Sequence, residues 1–125
     1  MSTRRILVID DEEDIREVAK LSLEMLGGWE VLLARSGAEG LATAQAENPD
    51  TILLDVMMPE MDGPSTFRKL QENPATQKIP VIFMTAKVQA ADQRRFKSLG
   101  ATSVIAKPFD PVQLASLVSA ALGWD

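Results

Sequence analysis

Five short apolar runs alternate with longer segments in which apolar residues recur every three or four positions. The runs lie at residues 6–9 (ILVI), 31–34 (VLLA), 52–54 (ILL, continuing into Val56), 81–84 (VIFM) and 104–106 (VIA). None shows the strict apolar and polar alternation of a half-exposed strand, so they read as strands buried on both faces. The intervening segments carry helix signals. The first places Ile15, Val18, Ala19, Ser22 and Leu26 on one face and stops at Gly27-Gly28. The second opens on Ser36-Gly37-Ala38-Glu39, a capping box, is expected to bury Ala38, Leu41, Ala42 and Ala46, and ends before Asn48-Pro49. A third, over 64–71, turns Phe67 and Leu70 inward and is halted by Asn73-Pro74. The fourth, over 90–99, has a thin apolar face of Ala91, Phe96 and Leu99 and is expected to be loosely held. The fifth takes Asp110 as N-cap and Pro111 as first helical residue, with Leu114, Ala115, Val118, Ala121 and Leu122 as its stripe.

Buried strands alternating with helices predict an α/β domain: a doubly wound five-stranded parallel sheet with five helices on both faces. In such folds ligands sit beyond the carboxyl ends of the strands, near the point where strand order reverses. The residues at those ends are Asp10 and Asp11, Asp55, Thr85 and Lys107.

Composition narrows the chemistry. The chain has 125 residues, 46% of them hydrophobic, which suits a single globular domain. It has neither cysteine nor histidine, which removes disulfides, thiolate chemistry, the usual general base and the commonest transition-metal ligand. Eighteen acids against thirteen scattered bases leave a charge of −5, so no direct nucleic-acid contact is expected. The run after MSTRR is too short for a membrane span or a signal core, and a cytoplasmic location without a membrane partner is expected. Five consecutive acids, Asp10 to Asp14, follow the first strand, and so dense a cluster calls for a cation. Oxygen ligands without nitrogen or sulfur favour Mg²⁺, which keeps several waters and binds phosphate oxygens. With Asp10 and Asp11 so neutralised, Asp55 is the candidate nucleophile toward a phosphoryl group. Lys107 is the candidate partner for phosphoryl oxygens, and Thr85 the hydroxyl that hydrogen-bonds one of them.

The segments ILVIDDEED, LLDVMMPEMDG, VIFMTA and VIAKPF stand in the order and spacing of the receiver domains of two-component response regulators, and the chain resembles that family over nearly its whole length. The resemblance implies a flavodoxin-like strand order, 2-1-3-4-5. It implies a single domain over residues 1–125, similar to a stand-alone chemotaxis-type receiver, with no output domain. It implies that Asp55 accepts phosphate from the histidine of a sensor kinase or a phosphotransfer protein. The metal would be held by Asp11, Asp55 and the backbone carbonyl of Met57, with Asp10 acting through water. Lys107-Pro108 is expected to be cis. The domain would catalyse its own phosphorylation and dephosphorylation, and an unidentified downstream protein would read the surface of helix four, strand five and helix five. Val104 departs from the pattern, since an aromatic residue often stands three positions before the lysine. Any rearrangement would then rest on the backbone from Thr85 to Ala90 and on helix four. Met57 and Lys87 occupy the positions that influence phosphate lifetime in the family.

Plainer readings stand beside these. Glu12, Glu13 and Asp14 suit a helix N-terminus through its dipole alone. Gly63 reads as a turn residue, and Met57, Met58 and Met61 as loop packing. A flavin carrier would need a glycine- and hydroxyl-rich phosphate loop where the acids stand, and a dehalogenase-type phosphatase would need a second acid where Met57 is. The alternative function is a degenerate receiver, acting as a phosphorylation-independent interaction module. Repulsion within the cluster leads to the expectation that Asp10→Asn raises the melting temperature in metal-free buffer.

Overall fold

A computed structural model of the protein describes residues 3–86 and 89–124; Lys87 and the terminal Asp125 lie outside the described residues. Strands and helices alternate along the chain: β1 (Arg5–Ile9), α1 (Glu13–Gly27), β2 (Glu30–Ala34), α2 (Gly37–Glu47), β3 (Thr51–Asp55), α3 (Gly63–Glu72), β4 (Val81–Thr85), α4 (Ala90–Leu99), β5 (Ser103–Ala106) and α5 (Leu114–Leu122). These strands form one parallel sheet in the order β2-β1-β3-β4-β5. Each apolar run of the sequence is one of them.

Side-chain alternation along the strands splits the core into two layers. Leu7, Ile9, Ile52, Leu54, Val81 and Phe83 pack against Ala44 of α2, Phe67 and Leu70 of α3, and Phe96 of α4. Ile6, Val8, Leu53, Ile82, Met84 and Ile105 pack against Ala19 and Leu23 of α1 and against Leu114, Ala115 and Val118 of α5. Both faces are covered, which explains why the strands show no alternation in sequence. Phe83 joins the first layer to two helices, with its ring 5.6 Å from Phe67 and 5.0 Å from Phe96.

The helical faces depart from their expected positions. On α1, Val18 and Leu26 are exposed and Leu23 is buried in their place, because sheet and α5 together cover only the arc through Ala19, Ser22 and Leu23. On α2, Ala38, Ala42 and Ala46 are exposed, Leu41 is half-buried, and the buried residues are Gly37, Gly40 and Ala44. The smallest side chains face inward because α2 lies close against the sheet: a Cβ on Gly40 would collide with Ile9. Half of the expected capping box forms, with Ser36 accepting from the Glu39 N–H. On α4 only Phe96 is buried, so the thin face is thinner than its periodicity suggested. Regular α5 begins at Leu114, three residues beyond Pro111, although Asp110 does accept a hydrogen bond from the Val112 N–H at 2.9 Å. At the other end of the sheet Trp29 and Trp124 meet edge to face at 5.1 Å, and the Arg4 guanidinium lies over Trp124.

Candidate functional site

Strand register brings the expected residues to one rim. Ile9 pairs with Leu54, so Asp10 and Asp55 follow at the same level on neighbouring strands where the strand order reverses. Thr85 pairs with Ala106, and the Lys107 N–H continues that ladder by donating to the Thr85 carbonyl at 2.9 Å. The Lys107-Pro108 peptide is cis.

Asp10 is fully buried and fixed on both carboxylate oxygens. Oδ1 accepts from the Glu12 N–H at 2.9 Å, and Oδ2 accepts from Lys107 Nζ at 2.9 Å. The Arg16 guanidinium donates to the Asp10 carbonyl at 2.7 Å, tying α1 to the strand end. Asp55, 3% exposed, lies with Oδ1 3.3 Å from the same ammonium. A third carboxylate, Glu12, reaches Lys107 Nζ at 3.4 Å from the solvent side. Asp11 is exposed, and one oxygen each from Asp10, Asp11, Glu12 and Asp55 all lie within 4.8 Å of one another. Thr85 is 2% exposed at the end of β4. A cleft of about 330 Å³ opens over this floor, lined by Glu12, Asp55, Met57, Thr85, Lys107 and Pro108 among others. Met57 exposes its side chain there while Met58 is buried.

The electrostatics follow from burial and charge count. Burial, then the neighbouring Asp10 charge, pushes the Asp55 carboxyl up from 3.8 to about 6, and Lys107 only partly counters this. Burial pulls Lys107 down, but its hydrogen bond to Asp10 and the charges of Asp10 and Asp55 outweigh it and leave the ammonium above its ordinary value. Among the described residues, the Lys107 ammonium thus serves three carboxylates, with a fourth alongside. This anionic surplus, made of hard oxygen donors and open to a cleft, fits a hydrated dication.

The loop after Asp55 is pinned tightly. Gly63 is the first residue of α3, and a Cβ there would stand 2.5 Å from the Asp55 carbonyl oxygen and 2.8 Å from Val56 Cα. It is a glycine because helix and strand end touch, so close approach replaces the turn expected from sequence. Its N–H donates to the Val56 carbonyl at 2.9 Å, and Asp62 caps the helix by accepting from Ser65 N–H at 2.8 Å. Glu60, between them, takes a left-handed φ of 68°.

The family model of the response regulator receiver domain matches residues 6–119. The chain belongs to the receiver domain family. Among curated proteins, this receiver is 44% identical over 116 residues to the response regulator PleD of Caulobacter vibrioides, covering 91% of the chain and 25% of PleD. It is 37% identical over 122 residues to a probable transcriptional regulator, ycf27, of Cyanophora paradoxa, covering 98% of the chain and 49% of that protein. The chain thus spans half or less of the length of these relatives. Among solved structures, the chemotaxis response regulator CheY4 of Vibrio cholerae superposes with a TM-score of 0.89 at 29% identity, over 96% of this chain and 99% of that one. The strand order and the five helices are those expected of such a receiver. Among the described residues no helix is long and apolar enough to cross a membrane.

Glu12 was missed as a partner of Lys107. Its position after Asp10-Asp11 suggested a helix N-terminal acid, and sequence spacing carries no signal for which way such a side chain turns.

Proposed function

We propose that this receiver is a phosphoacceptor, with Asp55 as the phosphorylated residue. The observation that carries the reading is the convergence of Asp55, Asp10 and Lys107 on one buried floor beneath an open cleft. An Asp55 Oδ atom attacks phosphorus while the bond from phosphorus to the donor breaks, and the leaving nitrogen or oxygen of the donor keeps that electron pair. Lys107, already within reach of Asp55, stays with the three equatorial oxygens as charge spreads over them. The Thr85 hydroxyl donates to one of those oxygens. Asp10, Asp11, Asp55 and the Met57 carbonyl would hold Mg²⁺, which when bound supplies positive charge against the phosphoryl oxygens.

The donor is a histidine kinase or a histidine phosphotransfer protein. Lacking histidine, the chain receives phosphate without passing it on through a histidine of its own. The phosphoryl group then adds charge and acceptor oxygens that bias the loop beyond Thr85 and α4, altering the surface of α4, β5 and α5 for a downstream protein. The thin hold on α4 supports that assignment, since one buried side chain, Phe96, anchors it.

Incubation with Mg²⁺ and acetyl phosphate tests the reading. Intact-mass measurement is expected to show a gain of one phosphoryl group that Asp55→Asn abolishes. An unchanged mass in the native chain would instead favour a phosphorylation-independent interaction module.

A further inference from the structure

Glu12 is the N-cap residue of α1, with φ −88° and ψ 117°, yet its side chain makes no capping hydrogen bond. Its N–H is spent on Asp10 Oδ1, and its carboxylate turns away from the helix to Lys107. The plain reading of this acid, a favourable charge in a first helical turn, leaves that orientation unexplained. Around Lys107 Nζ the partners are arranged by depth: Asp10, fully buried, at 2.9 Å; Asp55, nearly buried, at 3.3 Å; and Glu12, its side chain 61% exposed, at 3.4 Å.

We infer that Glu12 is a positioning residue that acts through Lys107, receiving the ammonium when a cation takes its place among the buried carboxylates and competing with phosphoryl oxygens for it afterwards. The inference rests on the proposed role of Asp55. A dication entering among Asp10, Asp11 and Asp55 weakens the hold of Asp10 on Lys107, and an ammonium moving outward meets Glu12 before it meets bulk water. Glu12 thus lowers the cost of admitting the metal, and its negative charge adds to the attraction. A phosphoryl group reverses the sign, because it brings its own negative charge and needs Lys107 for itself. Glu12 then repels the new anion and draws its counter-ion away. One side chain favours the metal-loaded, unphosphorylated state over the phosphorylated one.

The test uses Mg²⁺ alone and then beryllofluoride at saturating Mg²⁺, each titrated by calorimetry into the native chain, Glu12→Gln and Glu12→Asp. Glu12→Gln is expected to bind Mg²⁺ about two- to fivefold more weakly and beryllofluoride about two- to fivefold more tightly, the size of one screened charge at this range. Glu12→Asp keeps the charge but, one methylene shorter, withdraws from Lys107, so it is expected to regain little of the Mg²⁺ affinity while retaining tighter beryllofluoride binding; full recovery of Mg²⁺ affinity would show an effect of charge alone and overturn the positioning role. Addition of salt shrinks the Mg²⁺ difference. Affinities that stay unchanged, or that move in the same direction for both probes, overturn the inference and leave Glu12 a helix-terminal residue. Failure of the native chain to bind beryllofluoride refutes instead the role of Asp55, and the Mg²⁺ arm still decides whether Glu12 aids the cation.

Discussion

Asp55→Asn is expected to stabilise the protein in the absence of metal, although it removes the central residue of the site. The raised carboxyl, about 6 against 3.8, spans roughly two pH units, and at about 1.36 kcal/mol per unit the buried charge costs roughly 3 kcal/mol at neutral pH. That cost is already net of the attraction of Lys107, which retains Asp10 and Glu12 in the variant, so asparagine removes it while keeping the shape. A gain of up to about 3 kcal/mol follows, corresponding to a melting temperature higher by roughly 10 °C for a domain of this size. The sign with pH is fixed. Between about pH 4 and 6 the folded state binds more protons at Asp55 than the unfolded state, so native stability falls as pH rises through that window. The asparagine side chain of the variant does not titrate, so the difference between the two chains should open across the same window, level off above about pH 7 and vanish below about pH 4. Thermal scans in chelator at half-unit pH steps measure it directly. A difference that is flat with pH, or a variant less stable at neutral pH, would refute the account of Asp55 as a destabilised buried anion.

Asp10→Asn removes a charge from the same cluster but is expected to do the opposite, lowering the melting temperature in chelator, because Asp10 is the carboxylate that holds Lys107 in the buried floor. That is the reverse of the expectation drawn from repulsion alone, and the same scans decide between the two. Gly63→Ala forces a methyl group onto the Asp55 carbonyl and Val56 Cα, and chemical denaturation should show a loss of about 1–3 kcal/mol. Val18, Leu21, Met25, Leu26 and Val112 leave an apolar groove of about 240 Å³ between α1 and the start of α5, and the chain from Lys107 through Pro111 joins it to the site. If the phosphohistidine donor seats there, Leu21→Asp should slow labelling by a protein donor at least tenfold and leave labelling by acetyl phosphate unchanged; equal slowing of both would sink the assignment.

Strands and rim were legible in the sequence because the signals that specify them are local. An apolar run of four residues flanked by turn formers admits few readings, and the register of a parallel sheet then places every strand end at one edge. Helical faces were less legible, for a physical reason that α2 makes plain. Alanine and glycine differ little in hydropathy, so periodicity pointed to Ala38, Ala42 and Ala46, whereas the sheet accepted the face with the least volume, Gly37, Gly40 and Ala44. On α1 there were more apolar residues than one face needs, and the surplus, Val18, Leu21, Met25 and Leu26, became the groove. Residue types in the acid cluster likewise pointed to a candidate cation site without saying who pairs with whom. Asp10 and Asp55 look equivalent as letters, yet one is held by a backbone N–H and an ammonium while the other keeps a more distant share of that ammonium and a raised carboxyl. That inequality is a property of three dimensions, and it is what favours Asp55 over Asp10 as the proposed phosphoacceptor. The better-satisfied group is fixed in place, and under the proposed function the poorly satisfied one is the group that would gain most from a cation and a phosphoryl group.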